Sequence, residues 1–100
     1  MLRRRFFVFC FEAESRTLEL EDVVVAPTAA DAVVEFFRMY GLGIPPLPLG
    51  VELPEISADS FVQVWSVSVP RIGLHVRIKE RIWTGLEKDK AVSDCGELLN

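Results

Sequence analysis

Residues 3–12 carry apolar side chains on both alternating phases. Phe7, Phe9 and Phe11 lie on one phase, and Phe6, Val8 and Cys10 on the other. Phe and Val suit a pleated, sheltered surface. A strand that is apolar on both sides needs cover on both sides, so the pattern predicts a central strand. Residues 13–16 read as a turn and 17–25 as a second strand. There Leu18 and Leu20 share one phase while Val23 and Val25 occupy the other. One extra residue near Glu21–Asp22, a β-bulge, would bring all four to one face. Pro27 and Thr28 end this strand and open a helix predicted over 29–40. Thr28 is the N-cap, and Asp31, three residues on, completes a capping-box arrangement at the positive helix end. Ala29, Val33, Phe36, Phe37 and Tyr40 recur at helical spacing, and Gly41 supplies a left-handed stop.

After the helix the pattern changes. Pro45, Pro46, Pro48 and Pro54 exclude a helix over 41–57 and disfavour a central strand. Within that stretch Leu47, Leu49, Val51 and Leu53 alternate with Pro48, Gly50, Glu52 and Pro54, so an extended segment would present four apolar side chains in a row. A connection of this length is usually functional or packed on the body of its domain. Residues 61–69 form a third strand, with Phe61, Trp65, Val67 and Val69 on one phase and Val62 and Val64 on the other. A Pro70–Gly73 turn leads to a fourth strand over 74–83. That strand is amphipathic: Leu74, Val76, Ile78 and Ile82 alternate with His75, Arg77, Lys79, Arg81 and Trp83.

These elements predict an α+β fold, a ββαββ domain with a four-stranded antiparallel sheet and one helix on one face. The first and third strands are apolar on both phases, the second and fourth amphipathic, and hairpins join one to two and three to four. The strand order 2-1-3-4, with strands one and three adjacent and antiparallel, satisfies all of this. The domain spans 1–85, including the proline-rich connection at 41–57. Residues 86–100 read as a polar C-terminal tail, with a short helix around Lys88–Asp94.

Composition narrows the class. One hundred residues, half of them apolar and 26% charged, make one globular domain with no room for a second core. The formal net charge is −4, which argues against a general nucleic-acid binder. The charge is uneven: between Glu12 and Glu35 the only base is Arg16, whereas Arg71, Arg77, Lys79 and Arg81 crowd together with Glu80 alone among them. Arg3 to Arg5 followed by Phe6 to Phe11 is too short an apolar run for a signal peptide and has no small-residue cleavage site. No stretch has the length of a membrane span. A cytoplasmic location is the expectation. Cys10 reads as a small buried hydrophobe and Cys95 lies in the tail; their spacing offers no metal site, and a Cys10–Cys95 bridge would need the tail to return to the first strand.

Candidate chemistry is sparse. His75, the one histidine, lies among arginines, which disfavour its protonated form. Asp31 and Glu35, four apart on the helix, read as a solvated face. Gly41-Leu42-Gly43 leaves a helix instead of opening one, the wrong context for a phosphate loop. Pro45 to Pro48 has a P-x-x-P spacing but no flanking base, so it reads as a stiffened loop. Neither a catalytic group, a cofactor nor a metal is expected. Two binding readings remain. The helix, about 18 Å long at 1.5 Å per residue, cannot cover both faces of a four-stranded sheet. The second face must then be covered by the 41–57 segment, the tail, a second copy or another protein. This favours a protein–protein interaction domain, an inhibitor or adaptor able to form a homodimer, with Leu47, Leu49, Val51 and Leu53 as interface. The alternative is a nucleic-acid-binding module in which Arg77, Lys79 and Arg81 track phosphates and Trp83 stacks a base. In size and architecture the chain resembles compact accessory proteins of phages and mobile elements, anti-CRISPR proteins among them. That resemblance implies action by binding and blocking a larger machine.

Overall fold

The computed structural model describes residues 3–84. Strand β1 spans Arg4–Glu12, β2 Leu18–Ala26, helix α1 Ala29–Met39, β3 Gly50–Val51, β4 Glu55–Ile56, β5 Ser60–Val69 and β6 Leu74–Thr84, with a 3-10 turn at Pro70–Ile72. The fold is α+β: one antiparallel sheet of six strands and one helix. The predicted helix and the four long strands stand within a residue or two of their expected bounds. The two additional strands are two-residue pairings of the 41–57 segment with β5. The tail at 86–100, with the short helix expected around Lys88–Asp94 and Cys95, lies outside the described residues.

The strand order differs from expectation. The sheet runs β2-β1-β6-β5-β3, with β4 also paired to β5. In the numbering of the four predicted strands this is 2-1-4-3 and not 2-1-3-4. The amphipathic fourth strand is central, and the first and third run parallel to each other on either side of it. The physical reason is that its polar phase is neutralised. Arg77 donates to Glu52 at 2.8 Å, Lys79 sits 2.9 Å from Glu55, and the Lys79 ammonium lies 5.6 Å from the centre of the Phe9 ring. A basic strand face is tolerated inside a sheet when carboxylates and an aromatic ring meet it.

The helix forms for local reasons and is held by its apolar stripe. Thr28 Oγ1 accepts from the Asp31 amide at 3.1 Å and donates to the Asp31 carboxylate at 3.0 Å. At the other end Leu42 N donates to Phe37 O and Gly41 N to Arg38 O, a Schellman closure with Gly41 at φ 66°. Ala29, Ala32, Val33, Phe36 and Phe37 are buried against Phe6, Val8, Cys10, Val24, Ala26, Val67, Val69, Val76 and Ile78. Tyr40 lies at the C-cap, partly exposed, and its hydroxyl donates to Asp22 at 2.7 Å.

The predicted bulge exists, but earlier than expected. Cys10 faces Leu20 and Phe11 faces Leu18, so Glu19 is the extra residue. Opposed residues share a sheet face. Leu18, Val23 and Val25 therefore lie with Phe11, Phe7 and Arg5 on the face away from α1. Leu20 stays on the helix side and packs against the core. Expecting all four on one face placed the bulge two residues too late. A second bulge, at Ile82, shifts the β5–β6 register between Phe61 and Val62.

Candidate functional site

The sheet is sheltered on a diagonal. On one face α1 packs over β1 and β2. On the other, the 50–56 segment pairs with β5 and reaches across it to β6 through carboxylates: Glu52 and Glu55 meet Arg77 and Lys79 on the same face. Glu52 is fixed from two sides, since its amide donates to Val64 O at 3.0 Å and its carboxylate binds Arg77. Partial burial pushes the Glu52 carboxyl up, but hydrogen bonds from Ser66 and Arg77, with the Arg77 charge, bring it below the ordinary glutamate value. The segment thus covers half of the second face with ion pairs, not with the row of leucines expected from the alternation.

The other half of that face has no cover among the described residues. Phe7, Phe9 and Phe11 are half-buried, and Leu18, Val23 and Val25 are 43%, 45% and 47% exposed. The pairs Phe7–Val23 and Phe11–Leu18 carry this strip from β1 onto β2, with Glu21 opposite Phe9 between them. It follows directly from the double apolar phase of the first strand.

The four predicted interface residues, three leucines and Val51, do not act as a row. Leu49 packs against the core, while Leu47 is exposed, Val51 is 71% exposed and Leu53 89%. The reason is local. Leu42 and Leu49 pack on the core and Pro45 is buried, while Arg71 donates to Leu42 O and Ile44 O at 3.2 Å each. Gly43 allows this approach: at φ 88°, a Cβ there would stand 2.8 Å from Arg71 Nη2. Val51 is opposite Trp65 and Ile56 opposite Phe61, so the exposed ends of β3 and β4 form a second apolar rim on the helix side of the sheet.

The basic stripe is also divided. Arg77 and Lys79 are in ion pairs, and Arg81 is exposed. Trp83 pairs with Phe61 beyond the Ile82 bulge, which turns it to the face opposite Arg77 and Lys79. Its ring lies 6.4 Å from that of Phe61. Arg4 does not extend the stripe: its Nε and Nη2 donate to Glu80 at 2.7 Å each on the helix side. The other candidates sit in local bonds. His75 Nδ1 is 3.0 Å from Ser68 Oγ, Asp31 belongs to the helix cap, and Glu35 pairs with Arg38. Cys10 is fully buried, and burial raises its thiol pKa.

Glu52 and Glu55 are what sequence reasoning missed. Their signal was present as two carboxylates three apart in an extended segment, but pairing them with the basic phase of β6 needs the sheet order. No helix among the described residues is long and apolar enough to cross a membrane. Comparison with known proteins gives no matching family model, no matching curated protein and no matching solved structure, so the function must be argued from this geometry.

Proposed function

We propose that this domain is a protein-binding module that works by occupying a partner's surface, in the manner of an inhibitor or adaptor, without catalysis of its own. The observation that carries the reading is the strip of Phe7, Phe9, Phe11, Leu18, Val23 and Val25, an aromatic and branched surface broken only by Glu21 opposite Phe9 and without cover among the described residues. Apolar strips of this kind on ordered strands are the usual core of a protein interface. The exposed Leu47, Val51 and Leu53 form a second contact surface on this reading, and a second copy of the chain is the simplest partner for either.

Two pairs of substitutions test it. Val23→Thr with Val25→Thr keeps the β-branched shape on β2 while removing apolar area. Val51→Ser with Leu53→Ser removes apolar area from the rim. Sedimentation across a concentration series, and capture of partners from the native cell by wild type and each variant, are the measurements. The reading expects a folded first variant that loses self-association or a captured partner. A wild-type chain that stays monomeric, binds no hydrophobic dye and captures nothing the first variant does not would remove it.

The nucleic-acid reading gains no comparable support. Two of its cations face carboxylates, and Trp83 lies on the other face.

A further inference from the structure

Where β1 turns into β2, the sheet face away from α1 carries an open cleft of about 490 Å³. Phe11 and Ala13 supply an apolar wall, and Arg16, Ser68, His75 and Arg77 supply polar groups. The volume lies within the range of small-molecule sites, roughly 300–1,000 Å³. Two carboxylates also border the cleft, but both are committed. Glu12 accepts from the Ser15 amide at 2.7 Å and the Glu14 amide at 3.2 Å, which holds its pKa below the ordinary value. Glu52 accepts from Ser66 and Arg77.

What remains unpartnered is donor capacity. Among the described residues the Arg16 guanidinium has no hydrogen bond or ion pair, and His75 uses only Nδ1, toward Ser68, which leaves Nε2 open. When Ser68 donates to Nδ1, Nε2 carries the proton and is itself a donor. Arg77, paired to Glu52, adds positive charge behind them. Arg16 also stands at φ 60°, the left-handed region that an L side chain enters at a cost and that glycine enters freely. A strained arginine at the mouth of a cleft, its charge unspent, is a reason to look for a ligand.

We propose that this cleft binds a small organic anion, one carboxylate or phosphate carried on a flat apolar body. The anionic head meets Arg16 and His75 Nε2, and the apolar body lies on Phe11. A guanidinium suits both head groups because its N–H pairs match their oxygens in plane. The inference shares Phe11 with the protein-binding strip, but its anion contacts, Arg16 and His75, lie outside that strip, so Arg16→Gly tests it separately from the Val23 and Val25 variants.

The test is a titration of the isotope-labelled full chain, followed by amide and imidazole NMR, with benzoate, phenyl phosphate and the neutral isostere benzamide. Benzoate or phenyl phosphate should give saturable shifts centred on Phe11, Arg16 and His75, and whichever binds more tightly identifies the head group. Benzamide should bind at least about tenfold more weakly. Arg16→Gly separates a ligand role from a structural one. It should raise the melting temperature by relieving the left-handed residue, while weakening the anion about tenfold or more. No saturable shift from either anion at about 10 mM, equal affinity for benzamide, or unchanged affinity in Arg16→Gly would each overturn the proposal.

Discussion

Arg77 of the central strand β6 and Glu52 beside the edge strand β3 are joined at 2.8 Å, and this pair ties the proline-rich segment to the sheet. Both side chains are about one-third exposed, so water weakens the attraction without abolishing it. A double-mutant cycle with Arg77→Met and Glu52→Gln should give a coupling of about 0.5–1 kcal/mol by urea denaturation. Hydrogen exchange should accelerate at the Glu52 amide in either single variant, because the Glu52–Val64 backbone bond depends on the clasp. Additive energies with unchanged exchange would mean that the segment is held by its other ties: the β5 pairing, Lys79–Glu55, Leu49 and Arg71.

The same clasp sets an acid limit. Glu52 titrates below the ordinary glutamate value of 4.5. Its contribution is therefore fully present above the unfolded value and is lost as pH falls through the lower folded one. Stability measured from pH about 6 to about 3 should fall through this window, and Glu52→Gln should flatten the fall. Glu12, Asp22 and Glu35 also sit below their ordinary values, so the slope should shrink without vanishing.

Glu80 is 10% exposed in its side chain, and Arg4 binds both of its oxygens. Arg4→Met should cost about 2–3 kcal/mol by leaving a nearly buried carboxylate without its partner. Adding Glu80→Leu to that variant should recover most of the loss, since the desolvation penalty then disappears with the charge. Equilibrium unfolding of the two variants measures both numbers. A double variant as unstable as the single one would show that the pair is held for packing of the Arg4 stem.

Phe36 and Phe37 both lie fully buried between α1 and the sheet. Replacing either by Ala should cost about 3–5 kcal/mol, a large part of the total of about 5–15 kcal/mol available to a small domain. Val34 on the same helix is 43% exposed, and Val34→Ala should change stability by less than about 0.5 kcal/mol. Thermal unfolding of the three variants orders them. A large loss at Val34 would mean that something beyond the described residues packs there.

Much of this architecture was legible along the chain. The helix was, because Thr28, Asp31 and Gly41 act on backbone groups within one turn and the stripe from Ala29 to Phe37 repeats with the helix itself. The four long strands were, because alternation and turn residues are local. The double apolar phase of Phe6 to Phe11 announced a strand with two faces to shelter, and the structure places β1 between β2 and β6. The bulge was legible in kind but not in place. The alternation of Leu18, Leu20, Val23 and Val25 requires an extra residue somewhere, and only the register with β1 chooses Glu19.

By itself the sequence determined the helix and the four long strands, the fold class and the excess of apolar surface, since each depends on residues that are near neighbours in the chain. Only the tertiary structure decided which strands meet. The order β2-β1-β6-β5 rests on Glu52 and Glu55 neutralising Arg77 and Lys79, across 25 residues for Arg77 and Glu52, and periodicity carries no information about partners so far apart. The same holds for the cleft. Phe11, Arg16 and His75 converge there because β1 and β6 pair side by side. For that reason the site is a property of the pairing, which local pattern does not encode.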